Sequence, residues 1–232
     1  AAILALVGSG LLVAPPASAA TSLTVTTTAD GDANGACTTP SVTTTATPVT
    51  LRNALCVASN TGGVSTVSVP DGTYTLTDGA LVLGTRAGTD VTLESIGNRT
   101  EIVGDGSSQI LTLDPDIVGG IAVEINGFTF RGGRDDIFGG GAIIGGSIDA
   151  PSDTLLVRDS TFIDNAASGG AANPGGAIQF IGGDLTIVRS RFERNTSASA
   201  SGGAVYYEAA APGDYLDVSG STFTQNTQGQ PQ

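Results

Sequence analysis

Short runs of alternating apolar and polar residues recur along the second half of the chain. Three segments align without gaps, at 155–165, 185–195 and 216–226, and an earlier copy at 123–130 is degenerate. Each aligned segment has two apolar residues two positions apart, as in Leu185-Thr186-Ile187, where a polar residue separates them. The first copy has the same pair in Leu155 and Val157. Strict alternation predicts short β-strands with one buried face. No pattern of helical period and length separates the copies, which argues against alternating strands and helices.

The copies keep a fixed spacing at two positions and a variable spacing elsewhere. One phenylalanine and one asparagine recur 30 and then 31 residues apart: Phe162, Phe192 and Phe223, and Asn165, Asn195 and Asn226. A second element, Gly-Gly-Ala-Ile/Val, starts at Gly140, Gly175 and Gly202, at intervals of 35 and 27 residues. Strict strands with loops of variable length are typical of a solenoid.

The sequence therefore predicts an all-β fold, a right-handed parallel β-helix with about 30 residues per coil. Successive coils would stack about 4.8 Å apart, so that equivalent side chains lie over one another. The three phenylalanines are then expected to form a column in the core rather than a ligand platform. The three asparagines are expected to form a ladder at a turn, which we favour over a ligand-binding role.

Three segments are predicted along the chain. Residues 1–20 have the apolar core and small-x-small end of a secretory signal peptide that lacks its start, which we favour over a buried helix. Residues 21–66 form an N-terminal cap region, with a short helix over 49–58 whose apolar face covers the first coil. Residues 67–232 form the β-helix, which we expect to be incomplete at its C-terminal end.

The amino-acid composition restricts the classes of partner that we expect this chain to bind. The chain has 22 acidic residues against nine basic ones and no histidine, a net charge of −13. Such a surface argues against nucleic acid and against anionic membranes, and no apolar segment is long enough to span a membrane. Cys37 and Cys56, the two cysteines, would form a disulfide in an exported protein, although two free buried thiols remain an alternative. No metal site is predicted.

Two stretches resemble known bacterial families. The pairing of Phe-x-x-Asn with Gly-Gly-Ala-Ile/Val resembles the repeat of chlamydial polymorphic outer membrane proteins and of related β-helical surface proteins. The N-terminal part resembles the region named for a Cys-Ser-Leu-Arg-Glu-Ala (CSLREA) motif, which precedes such β-helices in exported proteins. The residues that carry this second resemblance are 23–30, Cys37, 50–54, Asn60 and 67–76.

The chain departs from the second motif at two positions. Val49 stands where its second cysteine is expected, and Asn53 replaces its glutamate. A disulfide between Cys37 and Cys56 would thus be shifted from the family pattern. Together the resemblances imply an exported bacterial protein, secreted or at the cell surface, with a pectin lyase-like β-helix.

Two functions follow as hypotheses. We favour a non-catalytic adhesin, stalk or extracellular binding scaffold, whose partners would be host or environmental glycans or proteins. The alternative is a polysaccharide lyase or glycoside hydrolase, for which Ca²⁺ could be a cofactor and no other cofactor is expected. Its weak catalytic candidates are Asp135, Asp136, Arg158 and Arg189.

The two arginine candidates also have a simpler interpretation, as members of a solvated ladder of ion pairs. Arg189 occupies the repeat position of Asp159, so the two are expected to stack as an exposed ion pair. For ligand contact, the adjacent pair Tyr206 and Tyr207 is the best candidate, because one of the two should face outward from a strand.

Overall fold

A computed structural model describes residues 20–31, 49–61, 63–114, 119–147, 149, 152–169, 174–198 and 201–229. The predicted signal peptide, apart from Ala20, lies outside the described residues, as does Cys37. The chain forms a parallel β-solenoid of about five turns, with about 31 residues per turn and very little helix. The predicted all-β solenoid is thus confirmed, while its right-handed sense stays a prediction.

The described residues form one helix and 22 strands. In chain order they are β1 (Thr21–Thr24), α1 (Leu51–Thr61), β2 (Gly63–Val69), β3 (Gly72–Thr75), β4 (Leu81–Leu83), β5 (Thr89–Ser95), β6 (Thr100–Val103), β7 (Leu111–Leu113), β8 (Ala122–Asn126), β9 (Phe128–Arg131), β10 (Arg134–Asp135), β11 (Ile143–Gly146), β12 (Thr154–Arg158), β13 (Thr161–Ile163), β14 (Ala166–Ala167), β15 (Ile178–Ile181), β16 (Asp184–Val188), β17 (Arg191–Glu193), β18 (Thr196–Ser197), β19 (Val205–Glu208), β20 (Leu216–Ser219), β21 (Thr222–Thr224) and β22 (Thr227–Gln228).

The strands form four parallel sheets that run along the solenoid. Sheet A has the order β1-β2-β5-β8-β12-β16-β20, and sheet B has the order β3-β6-β9-β13-β17-β21. Sheet C has the order β4-β7-β11-β15-β19, and sheet D, the shortest, has the order β10-β14-β18-β22. Each coil thus contributes one strand to each sheet that it reaches, and its side chains alternate between the core and the surface.

The parallel register places identical residues over one another in the core. Phe162 pairs with Phe192, and Phe192 pairs with Phe223, with ring centroids 4.7 Å apart and ring planes within 3° for both pairs. Phe130, in the degenerate copy, extends the column at 5.0 Å from Phe162. The rings of Phe130, Phe162 and Phe192 are fully buried, so the column fills the centre of the solenoid.

The asparagines form a hydrogen-bonded ladder at the turn after sheet B. The Asn195 Oδ1 atom accepts from the backbone N–H of Asn165 at 3.1 Å and from its Nδ2 at 2.9 Å. The Asn195 Nδ2 group donates to the Phe162 carbonyl at 3.0 Å and to Asn226 Oδ1 at 2.9 Å. Asn165 and Asn195 are fully buried. The ladder therefore satisfies amide groups that would otherwise destabilise the core.

A serine ladder, which the sequence analysis did not predict, runs along the preceding corner. Each hydroxyl oxygen accepts the backbone N–H of the equivalent position one coil earlier. Ser160 accepts from Phe128, Ser190 from Ser160, and Ser221 from Ser190, at 3.3, 3.3 and 3.0 Å. Two corners of the coil are thus fixed by the same device with different side chains.

The N-terminal helix begins and ends later than predicted, at Leu51 and Thr61. Its apolar face is buried as expected and packs against β1, β2, β4 and β5. The guanidinium of Arg52 binds both carboxylate oxygens of Asp30 at 2.9 Å and the Ala80 carbonyl at 2.7 Å. Burial opposes ionisation of Asp30, but the hydrogen bonds from Arg52 and from nearby backbone N–H groups lower its pKa to about 2. This ion pair ties the helix to the first coil.

The last described coil has no coil stacked on its outer side within the described part of the chain. The Phe223 side chain is accordingly 45% exposed, whereas Phe192 is completely buried. The two phenylalanines occupy equivalent positions in successive coils and differ in burial.

Replacing Phe192 with alanine should lower the free energy of unfolding by about 3–5 kcal/mol, because the cavity left between two stacked rings cannot collapse. Phe223→Ala, the matched control, should have less than half that effect, since its ring is already partly in solvent. Urea unfolding followed by circular dichroism measures both. Equal effects for the two variants would contradict the burial described above.

Asn195→Ala should lower the free energy of unfolding by about 3 kcal/mol or more, because it leaves the buried N–H groups of Asn165 without acceptors. Asn226→Ala should cost less, because Asn226 is itself partly exposed, so water can take its place as acceptor for the N–H groups of Asn195. The same unfolding assay applies, with hydrogen exchange of the Asn165 amide as a local measure. An unchanged exchange rate at Asn165 in Asn195→Ala would show that the ladder does not protect it.

Candidate functional site

The two acidic candidates for catalysis point to opposite sides of the backbone. Asp135 is buried, and its Oδ1 atom accepts three backbone N–H groups of the loop that follows, from Ile137, Phe138 and Gly139, at 2.6, 2.5 and 3.1 Å. Asp136 is exposed, accepts from Arg134 Nε at 3.0 Å and contacts the Ser168 hydroxyl. Asp135 thus holds a loop in place, and the two carboxylates do not face a common space.

The two arginine candidates lie in ion pairs between coils. Arg158 pairs with Glu124 of the previous coil, and Arg189 binds both carboxylate oxygens of Asp159 at 2.8 and 2.7 Å. The hydrogen bond from Arg189 holds the pKa of Asp159 below its usual value. Arg131 pairs with Glu101 across sheet B, and Arg194 pairs with Asp164 at the turn after that sheet. No hydrogen bond or ion pair described for Arg158 or Arg189 reaches Asp135 or Asp136.

Tyr206 and Tyr207 lie on opposite sides of β19. Tyr207 packs against the hydrophobic core and donates its hydroxyl to the Gly183 carbonyl at 2.8 Å. Tyr206 lies on the outer side, where its hydroxyl donates to Glu208 Oε2 at 2.8 Å. In register with Tyr206 on sheet C is one residue from each earlier coil: Gln179, Ile144, Thr112 and Val82. We call these five residues the outer row of sheet C.

A cavity of about 390 Å³ opens beside the outer row. Its lining residues come from β7, β11 and the flanking loops: Gln109, Thr112, Leu113, Asp114, Phe138, Ile144, Gly145 and Gly146. Leu113 and Asp114 are buried, whereas Phe138 is 60% exposed. Gln109 Nε2 donates to Thr112 Oγ1 at 2.7 Å. The cavity combines an exposed aromatic ring with amide, hydroxyl and carboxylate groups.

Sequence reasoning missed the cavity, although one signal was present. Ile137 and Phe138 form an apolar pair between two aspartates and three glycines, outside any alternating strand pattern. Both side chains are exposed in the structure, at 71% and 60%. An apolar pair that breaks the strand pattern in a turn is a candidate for contact with a partner, because it does not serve the core.

Two buried carboxyl groups meet at the corner before sheet A. Asp153 is fully buried; its Oδ1 atom accepts the Ile121 N–H at 3.1 Å, and its Oδ2 atom has no hydrogen-bond donor. Burial and the neighbouring carboxyl of Asp114 raise the pKa of Asp153 to about 6. Two carboxyls in such close contact lack the separation of roughly 5 Å or more that glycoside hydrolysis uses.

Metal and membrane features were also sought in the described ranges. There, no group of three or more histidine, cysteine, aspartate or glutamate side chains is placed to hold a metal ion. No helix in the same ranges has the length and apolar character needed to cross a membrane. Cys56 is disulfide-bonded. Since Cys37 lies outside the described residues, its pairing with Cys56 stays a prediction.

Comparison with models of known families, with curated proteins and with solved structures finds no match to this chain. The likeness to CSLREA-region proteins and to polymorphic outer membrane proteins therefore rests on the motif residues alone.

Asp153→Asn should stabilise the protein at neutral pH. The folded state binds the Asp153 proton more tightly than the unfolded chain, so this contribution to stability is complete below about pH 4 and is lost as pH rises through about 6. An amide mimics the protonated carboxyl at every pH. The variant should match the wild type near pH 4 and exceed it by up to about 3 kcal/mol at pH 7.

Urea unfolding of both proteins between pH 4 and pH 8 measures this difference. A difference that stays constant across this range would show that Asp153 is not protonated preferentially in the folded state.

Proposed function

We propose that this chain is a non-catalytic extracellular β-helix, secreted or held at the cell surface, which serves as an adhesin, stalk or binding scaffold. The observation that carries the proposal is that the polar side chains of the repeat bond to other coils of the same chain. The buried asparagines form a ladder between coils, and four outer arginines pair with carboxylates of the previous coil, as Arg189 does with Asp159. These groups serve to hold one coil to the next.

Such a solenoid suits the role of a rigid spacer. Each added coil lengthens it by about 4.8 Å, and each contacts mainly its neighbours, so the length can vary without a change of architecture. The Phe column and the Asn ladder link successive coils through the core and through one corner. A stalk or adhesin needs this combination of extension and stiffness.

Export is supported by three features of the chain. Residues 1–20 have the pattern of a signal peptide. The disulfide at Cys56 is typical of an oxidising compartment. The CSLREA-like and polymorphic outer membrane protein-like motifs resemble those of exported bacterial β-helices. Glycans or proteins outside the cell are therefore the partners we propose, and the net charge of −13 disfavours polyanions.

Incubation of the full chain with a panel of acidic and neutral polysaccharides should give binding without turnover. Turnover is measured as new reducing ends and as unsaturated products, and binding as retention on immobilised glycans and extracellular proteins. Asp136→Asn is the matched variant, because its exposed side chain can change without loss of the fold. Turnover by the wild type that Asp136→Asn abolishes would establish the lyase or hydrolase alternative instead. Retention on none of the glycans or proteins would contradict the binding scaffold.

A further inference from the structure

The Phe138 ring is presented to solvent by a loop whose backbone is fixed. Three consecutive N–H groups, including that of Phe138, donate to Asp135 Oδ1, and the Gly140 N–H donates to the Gly175 carbonyl of the next coil at 2.8 Å. Little backbone freedom is left to lose when a ligand contacts the ring. An exposed aromatic side chain on an ordered backbone is a favourable anchor for that reason.

The cavity beside the ring offers both donors and acceptors. Thr112 Oγ1 accepts from Gln109, so the hydroxyl proton of Thr112 remains available to donate. The Gln109 side chain retains a second N–H and its carbonyl oxygen. Asp114 also lines the cavity, but its Oδ2 atom accepts the Gly119 N–H at 3.1 Å and its carboxyl interacts with Asp153. A ligand with several hydroxyl groups, each able to donate and accept, matches this set better than an apolar ligand does.

Charge restricts the ligand further. Of the described residues that line the cavity, Asp114 alone carries a formal charge, and Asp153 lies next to it. An anionic ligand would meet this carboxyl with no cation among the described lining residues to offset it. The ligand is therefore expected to be neutral. The volume of about 390 Å³ falls in the range of small-ligand sites.

We infer that this cavity binds a neutral pyranose unit of a glycan, with the apolar face of the sugar on Phe138 and its hydroxyl groups toward Gln109 and Thr112. The inference rests on the proposed binding function and names its ligand class.

Calorimetric titration of the full chain with neutral tetrasaccharides (of glucose, mannose, galactose and N-acetylglucosamine) tests the inference, with tetragalacturonate as the anionic probe. At least one neutral tetrasaccharide should bind, and tetragalacturonate should bind more weakly. Phe138→Ala should weaken binding at least about fivefold, in line with the measured contribution of aromatic contacts. Ile137→Ala is the matched control, because this neighbour is equally exposed and does not line the cavity. Phe138→Tyr should retain binding.

Four outcomes would overturn the inference. The first is that no neutral tetrasaccharide binds, and the second is that tetragalacturonate binds more tightly than all of them. The third is that Phe138→Ala and Ile137→Ala weaken binding equally. The fourth is that an apolar peptide binds at Phe138 and no sugar does. The proposed function is judged separately by retention on glycans and proteins and by turnover. If the Phe138→Ala variant is still retained on glycans or proteins, the proposed function stands and only this binding site is ruled out.

Discussion

The parallel stacking of each coil on the next governs the whole structure, because every side chain must be compatible with its own equivalent about 4.8 Å away. Phenylalanine meets this condition in the core, where flat rings stack at 4.7 Å. Asparagine meets it at the corner, since its amide has both a donor and an acceptor and can bond to an identical neighbour. Serine meets it by accepting a backbone N–H from the coil before.

A charged residue cannot stack on an identical neighbour, and the outer surface reflects this. Along the corners an arginine follows an acidic residue of the previous coil, as Arg189 follows Asp159 and Arg194 follows Asp164. All four residues have positive φ angles, between 46° and 55°, a conformation that side chains disfavour. Their two-point ion pairs bridge these corners between coils. These two-point ion pairs therefore help to fix the geometry of the corner, although exposed ion pairs usually contribute little to stability.

The same condition explains what could be predicted from the sequence. Phe192 and Asn195 each have an identical residue about 30 positions away on both sides, so the register of the core and of the ladder could be inferred without a structure. The serine ladder was missed although Ser160, Ser190 and Ser221 recur with the same spacing, because serine is common in any turn. The helix was predicted in type, but its bounds were displaced by two or three residues. The N-cap that marks its start was overlooked: Thr50 Oγ1 accepts the Asn53 N–H at 3.1 Å.

The cavity and the carboxyl pair could not be predicted, because they lie where the repeat is broken. Asp135 shows why: its equivalents in the next two coils are Ala167 and Ser197, so it has no counterpart with which to form a ladder. Its carboxylate instead holds the backbone of its own loop, and the loop places Phe138 beside an open cavity. In a solenoid whose regular positions already satisfy one another, recognition of a partner falls to irregular positions of this kind.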